Sequence, residues 1–539
     1  MSGDISERQK RIFGDYQTPL DFCRQVCSYL DRSVGFRPRV IFEPTCGEGN
    51  FLVAAAQTWV PSCVDTVCTS QIRFVGLELS EAYLELARSR LASMVSQTGS
   101  KGRNGISLEW IQADFFSADL SRIRGVDAEE PLLVIGNPPW VMNGTLTSLN
   151  AKNPVSRSNF QQMRGIDAIT GASSFDLCES VILKIIETFH RTNTLVAMLC
   201  KTSVARKVFQ ELSRRHTSVS WFRIVRVDSH KIFGITAAAC LFLIQLATSG
   251  DCAASCEVYR FERPEQRVST FGFRDQRFYA SLECAERWDT ALDGTCCFEW
   301  RQGIKHDCAS VMELERNGSL YQNGRDESYP LEDDYIYPLM KGSDFRLPMI
   351  DTFRKWLIVT QQKVGDSTDE ISRLAPITWA YLCAHRELFE RRKSVIYRQA
   401  PPFSIFGVGN YSFAPFKVGV SGFYKTPFFS LLTSHKPVML DDTGYFLAFD
   451  RYDDAYMAML VLNSSPVQEF LQSIAFSDAK RPWTKKILSR INMSQAVRLL
   501  PLSELEEIEK TLGLEPRLNV EVRDHFVRLI NGEKTDSDG

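Results

Sequence analysis

Four consecutive residues, Asn137, Pro138, Pro139 and Trp140, follow the apolar run 132–135 almost without a spacer. Two prolines remove backbone donors and fix φ, so the chain must leave a strand there in one stiff shape. The Asn137 amide oxygen and the Pro138 carbonyl then form a rigid pair of acceptors, with the indole of Trp140 as a flat face beside them. Such a set suits a planar amine: the acceptors take its two N–H groups, and the ring carries the conjugated system behind it. Acceptors held in place before the reaction contribute most to its rate.

A second set of chemically capable residues precedes the first. "VIFEPTCGEGNFL", residues 40–52, runs from a strand-like start into Gly47 and Gly49 and then into an apolar helix. Glycines at such a turn let the backbone approach a ligand closely. "FVGLELS" brings Glu78 to the end of the next apolar run, where an acid holds ribose hydroxyls in dinucleotide folds. "WIQADFF" places Asp114 and Phe115 at the end of another, an acceptor for an adenine amino group beside an apolar wall. Each acid alone reads as a solvated strand end. In succession, and followed by the tetrapeptide, they point to an adenosine-bearing cofactor.

Short apolar, β-rich runs at 40–42, 74–77, 108–112, 132–135, 195–199, 222–227 and 239–246 must position these groups. Helical patterns such as "SEAYLELARSRLASMV" and "FDLCESVILKIIETF" lie between them. Strand–helix alternation predicts an α/β fold over 1–248, with a doubly wound, mostly parallel sheet. Ligands bind outside the carboxyl ends of such strands, near the switch point. "ATSGDCAASC" (247–256) reads as a connector. Residues 249–500 read as an α+β region, with strands in "KWLIVTQQ" and "GYFLAFD" and a helical "DDAYMAMLVLNSSPVQEFLQSI". Residues 501–539 read as a C-terminal helix and a disordered tail, "NGEKTDSDG".

Composition sets the outer bounds. At 539 residues, 44% hydrophobic and 24% charged, the chain has room for two or three ordinary globular domains. No apolar run approaches the roughly 18 residues that span a bilayer, and the polar start lacks the apolar core of a signal peptide. The reading is a cytoplasmic protein with no membrane partner and with its fifteen cysteines reduced. There is no paired CxxC set and no HxxxH-type pair, so no metal is expected, and Cys23, Cys27, Cys296 and Cys297 read as core packing. A net charge of −2 argues against a uniformly basic nucleic-acid binder but leaves room for a basic cleft.

Taken in order, these motifs resemble those of the S-adenosylmethionine-dependent amino methyltransferases of DNA in their γ arrangement. There the cofactor motifs precede the catalytic motif, and a target-recognition region follows. The resemblance is strong over 1–248. It is weaker beyond, where "YPLMKGSDF", "PPFSIFGVGNYSFAPFKVGVSG" and "FSDAKRPWTKKILSRINM" look like pieces of a recognition region. It implies a seven-stranded class I methyltransferase sheet and S-adenosylmethionine as cofactor. Thr18 of "GDYQTP" would hold the methionine end, Glu43, Pro44, Thr45, Cys46 and Gly47 would line the cofactor, and Pro139 would border it. Glu78 would take the ribose, and Asp114 with Phe115 the adenine.

The resemblance also implies an activity: site-specific methylation of the N6 amine of an adenine flipped out of double-stranded DNA. Asn137, Pro138 and Trp140 would be catalytic, with Phe233 as a second stacking aromatic, although a Phe before a strand is as readily core. Trp140 departs from the commoner Tyr or Phe, but any π face can stack on a base. Double-stranded DNA is the implied partner, with a separate restriction endonuclease as a companion. The polar stretch 143–174 is too long for an idle connector. It is expected to order over DNA, with Lys152, Arg157 and Arg164 on phosphates; Lys417, Lys480, Arg481 and Lys485 are further phosphate candidates. Open alternatives are a methyltransferase of RNA bases or protein glutamine, a restriction-methylation enzyme with an unrecognised nuclease part, and a silent DNA-binding subunit. The intact tetrapeptide argues against the last.

Overall fold

In the computed structural model, which describes residues 17–64, 72–97, 106–123, 130–140 and 176–532, the apolar runs become neighbouring strands. β1 (Val40–Glu43) pairs in parallel with β2 (Ile72–Glu78) on one side and with β4 (Leu132–Gly136) on the other. Both β1 and β4 are buried along their whole length. A strand covered on both faces has no reason to alternate, which is why these runs read as continuously apolar. β3 (Ile106–Gln112) lies beyond β2, and β5 (Thr194–Lys201) beyond β4. β7 (Ala239–Leu246) inserts antiparallel between β5 and β6 (Val219–Val227). The chain moves outward from β1 to β3, then restarts at β4 on the other side. The carboxyl ends of β1 and β4 therefore flank the switch point.

The connecting helices are α1 (Leu20–Tyr29), α2 (Asn50–Val64), α3 (Glu81–Gln97), α4 (Leu177–Phe189), α5 (Thr202–Arg214) and the short α6 (Ser229–Phe233). α4 starts where Asp176 accepts a hydrogen bond from the Cys178 amide at 3.2 Å, satisfying one of the donors a helix start leaves open. It buries Val181, Ile182, Ile185, Ile186 and Phe189, the apolar stripe of an amphipathic helix. α6 is capped by Asp228 and stopped by Gly234 in the left-handed region at φ 68°.

The sheet does not end at seven strands. β8 (Ser255–Arg260) pairs in parallel with β6, and β9 (Arg263–Arg274) and β10 (Arg277–Tyr279) continue outward, giving the order β10-β9-β8-β6-β7-β5-β4-β1-β2-β3. The expected connector at 247–256 thus runs into a strand, and the first compact unit extends to Phe278 instead of 248. The early part of β9 is largely exposed and charged, a pattern that suits a sheet margin and hides a strand from a search for apolar runs.

The second unit, Tyr279–Gly539, contains a six-stranded and a five-stranded sheet with helices. In the first, Lys355–Ile358 lies between Glu313–Asn317 and Ile336–Met340. In the second, Phe416–Ser421 lies between Phe429–Leu432 and Gly444–Phe449. The expected single helical stretch after 452 is two helices, Tyr452–Leu462 and Ser465–Ile474. Pro466 lies in the first turn of the second, and the Asn463 side chain between them bonds the Phe429 amide at 3.1 Å and carbonyl at 2.8 Å. The C-terminal part likewise has two helices, Leu502–Thr511 and Val520–Ile530. Of the expected disordered tail, Asn531 caps the last helix and Gly532 follows it, while 533–539 lie outside the described residues. Among the described residues no helix is long and apolar enough to cross a membrane, and no cluster of His, Cys, Asp or Glu could hold a metal ion.

Lys417 corrects an expectation. It sits on the central strand Phe416–Ser421, 1% exposed, with Nζ donating to the Ala414 carbonyl at 2.8 Å. A strand buried on both faces turns even its lysine inward, so this side chain does not reach a phosphate. Burial pushes its amine down from 10.5 to about 7. Between those values the unfolded chain binds more protons than the folded one, so this group's contribution to stability rises with pH across that window. Below about 7 its penalty is complete. Lys417→Met should therefore stabilise the protein by on the order of 3 kcal/mol at about pH 6 and by much less at about pH 10. Equal gains in denaturant unfolding at both would contradict this.

Candidate active site

At the end of β1 the chain turns through Gly47 (φ 49°) and Gly49 (φ 74°), both left-handed. A side chain at Gly49 would place Cβ 2.8 Å from Cβ of Ala87 on α3. Glycine is thus needed there for both conformation and space. The turn is closed by Cys46 N donating to the Leu77 carbonyl at 2.9 Å and Gly49 N to the Cys46 carbonyl at 2.7 Å. Glu78, at the end of β2, accepts from Gly47 N on Oε2 and from Leu79 N and Ser80 N on Oε1, all at 2.9 Å. A carboxylate has about four acceptor positions, so capacity remains for another donor. The acid expected at the ribose also pins the glycine turn, a role its position in the sequence does not announce.

Glu43 is 3% exposed, and its Oε2, like Thr45 Oγ1, has no hydrogen-bond partner among the described residues. Burial holds the Glu43 carboxyl well above the usual carboxylate range, and the nearby Glu78 adds to this. Two buried acceptors left unmatched cost about 1–3 kcal/mol each, which a ligand bearing N–H donors would relieve. Cys46 is also buried, and its thiol is pushed far up by burial and then by Glu43 and Glu78, so it lines the turn as an inert group. At the end of β3, Asp114 Oδ1 accepts from Phe116 N at 2.9 Å, beside the buried Phe115. Lys184 of α4 holds this turn by donating to the carbonyls of Phe115 and Phe116 at 2.8 Å and of Ala118 at 3.2 Å. Nothing in the sequence marks that lysine, since its partners are backbone atoms.

The tetrapeptide begins immediately beside this turn. A Cβ on Gly136 would lie 3.5 Å from Pro44 Cδ and 3.7 Å from Glu43 Cγ. Asn137 Nδ2 donates to Thr18 Oγ1 at 3.1 Å, and the Thr18 carbonyl accepts from Asn50 at the start of α2 at 2.9 Å. Thr18 thereby joins the glycine turn to the amide of Asn137, whose oxygen is turned to the other side of the planar group. Trp140 Nε1 donates to the Leu199 carbonyl of β5 at 3.3 Å. Its ring lies 5.6 Å from that of Phe233, at 69°, and Phe233 also touches Phe22 of α1, centroids 6.4 Å apart. Parallel rings enclosing a base would stand roughly 7 Å apart, two carbon contact distances. Phe233 is therefore brought to Trp140 as an edge-on neighbour, not as a facing wall.

Lys152, Arg157 and Arg164 lie outside the described residues. In the second unit, Lys480 is exposed, Lys485 pairs with Glu299 at 2.9 Å, and Arg481 bonds the Asp442 carbonyl at 3.1 Å. The exposed Lys485–Glu299 pair contributes little and exchanges readily.

A mostly parallel sheet with the antiparallel β7 inserted between β5 and β6, carrying a glycine turn and an amide–proline–aromatic loop on adjacent strand ends, is a class I methyltransferase fold. No family model matches the sequence. Over 500 residues, 92% of this chain and 99% of the relative, it is 35% identical to the type II methyltransferase M.NspV of Nostoc sp. (strain ATCC 29411 / PCC 7524). The chain belongs to the type II methyltransferases. It is also 26% identical over 136 residues, 25% of this chain and 28% of the relative, to the type II methyltransferase M.VspI of Vibrio sp. (strain 343). A likeness of fold extends to the type IIL restriction-modification enzyme MmeI in complex with DNA, with a TM-score of 0.52 and 13% identity, covering 98% of this chain and 78% of that one.

Proposed function

We propose that the chain transfers a methyl group from S-adenosylmethionine to the N6 amine of an adenine flipped out of double-stranded DNA. The bond from Asn137 to Thr18 carries this reading, because it ties the amine-binding loop to the segment expected to hold the cofactor. The unmatched buried acceptors of Glu43 and Thr45 fit the ammonium end of an amino-acid moiety. Thr18, Pro44, Cys46 and Gly47 would line the same end, with Pro139 bordering the cofactor. Glu78 would take the ribose, and Asp114 with Phe115 the adenine. When bound, the cofactor supplies a methyl group activated by a sulfonium.

The chain's own contribution is then orientation. Asn137 Oδ1 and the Pro138 carbonyl accept the two amine N–H groups, turn the nitrogen's lone pair out of conjugation and aim it. Trp140 stacks on the base, with Phe233 at its edge. The second unit would supply target recognition, with Lys480, Arg481 and Lys485 meeting phosphates. A motif opened by asparagine instead of serine favours adenine-N6 over cytosine-N4. The motif order is that of the γ arrangement.

Incubation with tritiated cofactor and equal masses of duplex DNA, RNA and mixed polypeptide should label the DNA alone. Label in RNA or polypeptide would select one of the alternative substrates instead.

Trp140 offers a graded test. Trp140→Ala should reduce turnover by about five- to 150-fold, the range expected for base–aromatic stacking. Trp140→Phe keeps a π face but loses the indole N–H bond to Leu199, so it should lose about fivefold, the effect of one neutral hydrogen bond. Steady-state rates with Ala equal to wild type would remove Trp140 from the base site.

A further inference from the structure

Lys201 is the last residue of β5, and its amine donates to Asp176 Oδ2 at 2.7 Å and to the Trp140 carbonyl at 3.3 Å. The Asp176 side chain is 5% exposed, and its other oxygen caps α4 through Cys178 N. Trp140 and Asp176 are the described residues on either side of 141–175. One amine therefore fastens both flanks of that segment to the end of β5. Trp140 is held twice by this strand, since Leu199 receives its indole N–H and Lys201 donates to its carbonyl. Pro138 and Pro139 fix their own φ angles, so a chain fastened at Trp140 has little freedom left at the Pro138 carbonyl and Asn137. Lys201 and Asp176 are absent from the expected cofactor contacts. Their carboxylate is buried enough that removing the amine leaves an uncompensated charge, unlike an exposed pair.

We infer that Lys201, oriented by Asp176, is a positioning residue that sets how the Asn137–Trp140 loop meets its amine substrate. This rests on the adenine-methylation reading above. Lys201→Met should lower kcat by about ten- to a hundredfold, the effect of one charge-assisted hydrogen bond, with cofactor Kd unchanged. Lys201→Arg should recover most of that loss. Asp176→Asn keeps a competent helix cap and should lower kcat in the same way, while the double variant should lose little more than Lys201→Met. With 2-aminopurine at the target position, bound-state emission should differ between Lys201→Met and wild type, because the ring stacked on the probe has shifted.

Unchanged kcat in Lys201→Met and Asp176→Asn would overturn the inference. So would a joint fall of kcat and cofactor affinity that arginine does not restore, which would make the pair simple scaffolding. A wild-type protein that methylates no adenine would instead overturn the reading on which the inference stands.

Discussion

Asn137→Ala is expected to lower the rate of methyl transfer by about a hundred- to a thousandfold, the range found when a preorganised group that stabilises a transition state is removed. An exocyclic base amine is flat and poorly nucleophilic until its lone pair leaves conjugation. The Asn137 oxygen acts on the amine as that happens, so its loss should appear in kcat more than in DNA affinity. Thr18 moderates the outcome. Its hydroxyl accepts from Asn137 Nδ2, so the alanine variant also releases a group next to the glycine turn, and cofactor affinity should fall modestly. Asn137→Asp keeps an acceptor of the same shape, and Thr18 can reverse its hydrogen bond to donate; that variant should retain part of the activity. Single-turnover rates with saturating cofactor separate these effects. A loss below about threefold in Asn137→Ala would mean that the loop's acceptors do not act on the amine.

Glu78→Ala should weaken S-adenosylmethionine binding by about a hundredfold or more. Two losses combine. The carboxylate would no longer accept the ribose hydroxyls, and it would release Gly47 N, Leu79 N and Ser80 N, which it now holds at 2.9 Å. Hydrogen bonds to a charged group contribute about 1.5–3 kcal/mol each, so losing two effective bonds already reaches that magnitude. Asp114→Ala should cost less, about tenfold, because one adenine contact disappears while Lys184 still holds the following turn through backbone carbonyls. Isothermal calorimetry with the full chain measures both. Unchanged affinity in the two variants would remove the cofactor assignment.

How much of this is legible without coordinates depends on which signal each element carries. The core strands announce themselves because a strand buried on both faces must be apolar throughout, as at β1 and β4. The outer strands do not: β9 carries Arg263, Glu265 and Arg267 near the edge of the sheet, and its charge hides it from a search for apolar runs. Lys417 misleads in the opposite sense, because charge in a sequence does not tell which way a side chain points. Asp176 has a readable cap signature, an acid before an apolar helical run. Its ion pair with Lys201 joins residues 25 apart in the chain, and no pattern in the sequence encodes it. The Asn137–Thr18 bond, across 119 positions, is hidden for the same reason. Motifs reveal which groups can do chemistry; contacts between distant segments decide how they are aimed.

The chemical identity of the product is the most direct test of the whole account. Duplex DNA treated with the purified protein and S-adenosylmethionine should be digested to nucleosides and resolved by chromatography with mass detection. The account predicts N6-methyldeoxyadenosine as the new nucleoside, at one defined sequence, and its absence with Asn137→Ala. N4-methyldeoxycytidine as the sole modified nucleoside, or DNA left unmodified by a protein that binds the cofactor, would contradict it.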